Sequence, residues 1–288
     1  MTGPAVSQTG TGAGPGAGTG ASTEAWRDSF RPPAERVADL LARMTLEEKV
    51  AQLTSVWPGD QPRDSNVAPM RGDFRDPAGP FTELVRNGLG QLTRVFGTRP
   101  VPPAEALRRL RDLQSQVVAA NRFGIPAVAH EECLTGFAAW TATIFPSPLA
   151  WGASFDPGLV GEMAAAIGAS MRAAGVHQGL SPVLDVTRDP RWGRTEETIG
   201  EDPYLVGSVG TAYVRGLQSA GIQATLKHFA GYSASRAGRN MAPVAIGGRE
   251  FADVILVPFE MALRGGARSV MPSYTDIDGV PVSGVRRC

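Results

Sequence analysis

IQATLKHFAGY, residues 222–232, decides the fold. Its first five residues carry no charge and suit a buried strand, after which Lys227 and His228 stand side by side before Gly231 ends the run. A cation delivered by an apolar strand must be partnered or must lie at an opening, because burying it alone is costly. Working outward, the same layout recurs. Strands are expected at GLGQLTRVF (88–96), IPAVAH (125–130), VHQGLSPVLDV (176–186) and ARSVMPSY (267–274). Helices are expected between them at 103–124, 155–175, 203–221 and 247–266. Five apolar strands separated by amphipathic helices, most of which close on glycine, argue for repeated βα units and a parallel sheet.

A doubly wound sheet and a (β/α) barrel both satisfy that alternation. The polar residues separate them. His130, Glu131 and Glu132 follow IPAVA, Asp185 follows LSPVL, Lys227 and His228 follow IQATL, and Ser273 and Tyr274 follow SVMP. A barrel brings all of these to one mouth at the carboxyl ends of its strands, whereas an open sheet converges them only at a switch point. The expected fold is therefore α/β, a TIM-type (β/α)8 barrel, incomplete at its C-terminal side. No phosphate-cradling glycine pattern lies between a strand and a helix, which counts against nucleotide binding.

The rest of the chain supports one large α/β domain. At 288 residues, 42% hydrophobic and 19% charged, it has the balance of a folded protein. Basic and acidic residues each number 28, so no net field draws nucleic acid or an anionic membrane, and a small neutral ligand fits better. Arg108, Arg109 and Arg111 read as a solvated helix face. Residues 1–31 read as a disordered Gly/Thr/Ala-rich lead-in without signal-peptide form, and 32–288 as the domain. The expected location is cytoplasmic, and no run reaches membrane-spanning length. Val37, Leu40, Leu41 and Met44 fall at helical spacing, and Thr45 with Glu48 forms a capping box before a second helix. Residues 58–80 read as a long surface loop. Cys133 and Cys288 suggest no disulfide framework, and the three histidines lack metal-ligand spacing, so neither metal nor cofactor is expected.

TRDPRWGRTEETIGEDP (187–203) concentrates three arginines, five acids and Trp192 in a loop leaving a strand. Arginine can hold adjacent oxygens, acids accept from hydroxyls, and a tryptophan face suits the C–H side of a sugar ring. An Arg–Asp network that only stiffens the loop is the alternative reading.

Together MTLEEKVAQL, HEECLTG, FPSPLAWGASFD, SPVLDVTRDPRWGRTEETIGEDP, LKHFAGY and VMPSYTDIDGVP resemble the N-terminal domain of glycoside hydrolase family 3, the β-glucosidase and β-xylosidase type, from about Arg36 to Pro281. The resemblance implies hydrolysis of terminal β-D-glucosyl or β-D-xylosyl units of a small or oligosaccharide β-glycoside by a retaining mechanism. It implies that Glu132 grips hydroxyls of the terminal sugar, that Arg194, Lys227 and His228 complete that subsite, that Tyr274 sits beside the nucleophile and that Met271 lines the pocket. Glu131 and His130 are weaker candidates, and Asp185 reads as a supporting residue.

Retaining glycosidases use two carboxyl groups across the scissile bond. In the family pattern the nucleophile follows VMPSYTDIDGVP and the acid/base comes later still, so no catalytic residue is expected in this chain and the chain alone is expected to be inactive. Asp276 and Asp278 lie in a turn-rich segment. The ending VSGVRRC reads as truncation, and an unclosed barrel is expected to be poorly soluble. A carbohydrate-binding remnant without turnover and a Schiff-base aldolase using Lys227 are the alternatives. Glucoside versus xyloside preference and oligomeric state are not encoded in these motifs.

Overall fold

The structure, a computed structural model, describes residues 24–58 and 80–284. Residues 59–79 of the expected loop at 58–80, most of the lead-in, and the VSGVRRC ending beyond Gly284, Cys288 included, lie outside the described residues. The chain divides into two compact units, Met1–Lys49 and Val50–Cys288.

In the first unit a 3-10 turn at Ala25–Arg27 precedes helix α1, Pro33–Arg43. The Trp26 amide donates to Asp39 at 3.0 Å and Arg36 donates to the Trp26 carbonyl at 2.9 Å, so the chain is tied to α1 from before residue 31. Pro33 opens α1 because its missing N–H falls where the helix has no acceptor to offer. Thr45 and Glu48 close the expected capping box with bonds of 2.8 and 3.2 Å, starting α2 at Leu46–Ala51. Of the expected apolar stripe on α1, Met44 is buried while Val37 and Leu41 are exposed.

Among the described residues the second unit is built on a six-stranded sheet: β1 (Ser55–Val56), β2 (Gln91–Thr93), β3 (Val128–Glu131), β4 (Gln178–Gly179), β5 (Gln223–Phe229) and β6 (Ser269–Pro272). All neighbours run parallel and the spatial order is the sequence order, so there is no switch point among the described strands and the barrel reading is selected over the doubly wound one. Ser55–Val56 is a sixth strand beyond the five expected. Two residues between a helix and Trp57–Pro58 carry no alternation to read. β1 and β6 are the edges of this sheet, and Val270 on β6 is exposed.

Helices α3 (Phe81–Leu84), α4 (Pro103–Ala120), α5 (Pro148–Ser154), α6 (Pro157–Ala173), α7 (Pro203–Ser219), α8 (Gly248–Glu250) and α9 (Val257–Arg264) connect the strands. The Asp–Pro pairs explain two of the starts: Asp156 and Asp202 accept from Leu159 and Leu205 amides at 3.0 and 2.7 Å, each with proline in the first helical position. α6 packs along α7, and α7 along α9. Gly216 permits the first approach, because a Cβ there would come within 2.1 Å of the Gly161 carbonyl oxygen. The expected helix at 247–266 is broken by a π turn, Phe251–Ile255, ahead of Pro258, whose missing N–H cannot continue an α ladder. After β6 the chain makes a small antiparallel hairpin of β7 (Asp276–Ile277) and β8 (Val280–Pro281). No helix among the described residues is long and apolar enough to cross a membrane.

Candidate active site: an ion-paired cluster at the strand ends

β3 and β5 deliver the two central groups. Glu132 follows the last residue of β3, Lys227 lies within β5, and their side chains meet at 2.9 Å across 95 residues of sequence. Lys227 is buried to 4% side-chain exposure while Glu132 keeps 30%, so the carboxylate is the member that faces outward. Burial works to raise the Glu132 carboxyl, but attraction and hydrogen bonding from Lys227, helped by Arg94 and Arg194, hold it below the ordinary carboxylate value.

Beside that pair runs a second chain of contacts. His228 places Nδ1 2.8 Å from Asp185, whose same oxygen accepts the His228 amide at 3.1 Å. His228 Nε2 lies 3.0 Å from Arg194 Nη1, and Arg194 forks onto Glu197 at 2.7 and 2.6 Å. Arginine can only donate, so Nε2 must be the acceptor and Nδ1 carries the proton that Asp185 receives. Burial, with Arg194 and Lys227 adding, depresses the His228 pKa despite Asp185, which keeps the ring neutral at pH 7. The fork onto Glu197 outweighs burial and raises the Arg194 pKa.

Aromatic rings close one side. Tyr232 meets His228 edge to face at 4.9 Å, Tyr274 meets Tyr232 at 5.7 Å and lies 6.1 Å from His228, and Arg194 stands over Tyr232 at 5.6 Å. Tyr274 is 63% exposed, so its ring is free to meet a ligand. Met271 is half-buried on β6, opposite the irregular stretch of β5 between Leu226 and Phe229 that holds Lys227 and His228. Glu132, Lys227, Arg194, His228 and Tyr274 thus form one connected cluster; Met271 is adjacent by strand register, with its side-chain contacts not among those that define it.

Three residues depart from the sequence reading. Trp192 is not a sugar platform: it is 2% exposed and packs edge-on against Tyr232 at 5.1 Å, because RWGR folds inward to seat Arg194. Arg109 does not simply face solvent, since it donates to the Pro58 carbonyl at 2.9 Å. Arg94 was not singled out, yet it adds positive charge near Glu132 and stands over Trp57 at 5.2 Å. Its signal in sequence was a single basic residue inside the apolar run GLGQLTRVF.

Asp276 and Asp278 belong to the hairpin turn. Asp276 accepts the Gly279 amide at 3.1 Å, and Asp278 is exposed with φ +50°. Glu131 serves the scaffold, while the buried His130 Nδ1 has no hydrogen-bond partner. Glu131 takes the Phe96 and Gly97 amides at 2.6 and 3.1 Å, pinning the turn after β2, and burial pushes its carboxyl up to about 8. Burial brings His130 down to about 4.

These two shifts predict a pH signature. Glu131 binds its proton more tightly folded than unfolded, so its contribution to stability is full below about 4.5 and is lost as pH rises through 8. His130 acts oppositely, contributing above about 6.5 and losing that contribution as pH falls toward 4. From pH 6.5 to 8 Glu131 withdraws about 1.5 kcal/mol of stability, offset in part by His130, His177 and His228, whose folded rings are held neutral while their unfolded forms still lose protons there. Glu131→Gln should remove that withdrawal and leave stability rising with pH across the window in urea titrations; an unchanged slope would refute the assignment.

Residues 45–288 match the glycosyl hydrolase family 3 N terminal domain. A putative beta-xylosidase of Formosa agariphila is 34% identical over 262 residues, 87% of this chain and 33% of that protein. A periplasmic beta-glucosidase of Salmonella typhimurium is 27% identical over 89% of this chain and 30% of its own length. Among solved structures, a b-glucosidase from Erythrobacter marinus superposes with TM-score 0.78 and 37% identity, covering 90% of this chain and 34% of that one. A beta-glucosidase from Listeria innocua in complex with glucose gives TM-score 0.72 and 31% identity, covering 86% of this chain and 34% of that one. The chain spans about a third of the length of these relatives. With the sequential parallel sheet and the strand-end cluster, the match over 45–288 establishes that this chain belongs to glycosyl hydrolase family 3, within its N-terminal domain.

Proposed function

We propose that this chain supplies the terminal-sugar subsite of a retaining β-glycosidase that releases β-D-glucosyl or β-D-xylosyl units, and that the chain alone binds sugar with little or no turnover. The observation that carries the reading is the joined set Glu132–Lys227 and Asp185–His228–Arg194–Glu197 at the strand ends. A polyol presents alternating donors and acceptors, and a carboxylate beside an ammonium and a guanidinium can answer adjacent hydroxyls. Beta-xylosidases and beta-glucosidases among the relatives support that substrate class.

Retention requires a nucleophile and an acid/base about 5–5.5 Å apart across the bond. The acids in this cluster are already committed: Glu132 to Lys227, Asp185 to His228 and Glu197 to Arg194. In this reading they hold and orient the ring, and none of the three is a reacting carboxyl. Lys227 acts here as a charge partner, which disfavours the Schiff-base alternative.

The test is hydrolysis of aryl β-glucoside and β-xyloside by the 288-residue chain beside a version extended through the remainder of a family-length protein. Turnover is expected only in the extended form, with glucose binding in both. Equal turnover by the short chain, abolished by Asp276→Asn or Asp278→Asn, would place the nucleophile in the hairpin instead.

A further inference from the structure

Beneath the Glu132–Lys227 pair the inner face of the sheet is polar. Gln178 on β4 is 6% exposed, and its Nε2 donates to Thr225 Oγ1 on β5 at 2.9 Å and to Ser269 Oγ on β6 at 2.8 Å. One amide therefore joins three consecutive strands, reaching 91 residues along the chain. A carboxamide nitrogen has two hydrogens, and here each has its own hydroxyl. The inner layers of a parallel barrel are ordinarily filled by Val, Ile and Leu, and burying an amide there is costly unless its hydrogen bonds are made.

Directly above this amide stands the candidate site. Residues i and i+2 of a strand share a face, so Thr225 stands one layer below Lys227 and Ser269 one layer below Met271. His130, paired with Gln178 in the β3–β4 register, stands one layer below Glu132. The β5–β6 ladder is regular at Thr225↔Ser269 and Leu226↔Val270, then shifts before Phe229↔Pro272, and Lys227 falls within the shift. On the β4 side the Lys227 amide donates to the Pro182 carbonyl at 3.2 Å and its carbonyl accepts the Leu184 amide at 2.7 Å. Toward β6 the last regular pairs lie just below Lys227, and there the two Gln178 bonds hold β5 and β6 to β4.

We propose that Gln178 is a positioning residue: by tying β5 and β6 to β4 it sets where Lys227 Nζ meets Glu132, and so how that carboxylate is presented to the terminal sugar. The consequence for sugar rests on the function proposed above, whereas the coupling of Gln178 to Lys227 does not. Gln178 itself touches no substrate in this assignment. It acts through the 2.9 Å contact between Lys227 and Glu132, which a small displacement of β5 would lengthen.

The chain has two lysines, the exposed Lys49 and the buried Lys227, so lysine-selective isotope labelling of the 288-residue chain gives a two-signal NMR spectrum. Gln178→Met is close in volume and lacks the two donors. It should move the Lys227 ammonium signal toward that of Lys49, speed its proton exchange with water and weaken glucose about fivefold in calorimetry. Thr225→Val removes one acceptor and leaves Gln178 in place. It should act in the same direction with a smaller effect, and it decides the outcome if Gln178→Met does not fold. A folded variant whose Lys227 signal or glucose affinity matches wild type overturns the assignment, because the amide would then brace the fold alone. Wild type that binds no glucose, while the variants still move the Lys227 signal, sinks the proposed function and leaves the Gln178–Lys227 coupling standing.

Discussion

Lys227→Met is expected to destabilise the chain by about 2–3 kcal/mol in urea unfolding and to reduce glucose affinity at least tenfold. The methionine fills the space but leaves the Glu132 carboxylate without its 2.9 Å partner. Removing one member of a buried pair costs about 3–5 kcal/mol, and the 30% side-chain exposure of Glu132 lets water recover part of that. Glu132→Gln in the same chain should restore a measurable share of the stability, because the orphaned charge is gone, without restoring sugar binding. The pH response has a definite sign. Glu132 is held below its ordinary value, so the stability it contributes is present above about 4.5 and is lost as pH falls through its folded pKa. In Lys227→Met that acid-side loss should shrink. A variant within about 0.5 kcal/mol of wild type, with unaltered glucose affinity, would mean the pair is incidental.

Asp185→Ala is expected to cost about 2–4 kcal/mol, because two buried donors on His228, its amide and Nδ1, lose their shared acceptor. The consequence for the site is larger than the contact. With Asp185 gone the ring can take the other tautomer, which turns an N–H toward the Arg194 guanidinium 3.0 Å away and sets donor against donor. Arg194 should then lose its place, and sugar affinity with it. The check is nitrogen NMR of the histidines, a spectrum kept simple by there being three in the chain. Wild-type His228 should show an unprotonated Nε2 and a protonated Nδ1 at pH 7, and Asp185→Ala a mixture. A wild-type ring protonated at Nε2 would overturn the whole Asp185–His228–Arg194 account.

Much of this site was legible before any coordinates. Lys227 and His228 stood out because they end an apolar strand, where charge needs a reason, and Tyr274 by its place at another strand end; Glu132 over Glu131, and Arg194 over its neighbours, were singled out by the family resemblance. The roles within RWGR were not legible. Arg194 and Trp192 are two residues apart and equally plausible as sugar contacts, yet one is a forked donor at the pocket and the other is packed beneath it.

The alternation of apolar runs and amphipathic helices determined a parallel α/β architecture by itself, because strand and helix periods are local properties of the chain. The Asp–Pro helix starts and the Thr45–Glu48 capping box are local in the same sense. Tertiary structure alone decided the rest. Sequential strand order chose the barrel, the two-residue β1 formed because β2 offered a partner, and Glu132 found Lys227 across 95 residues. A hydrogen bond or ion pair over that distance depends on where backbones are placed in space, and no local pattern encodes it.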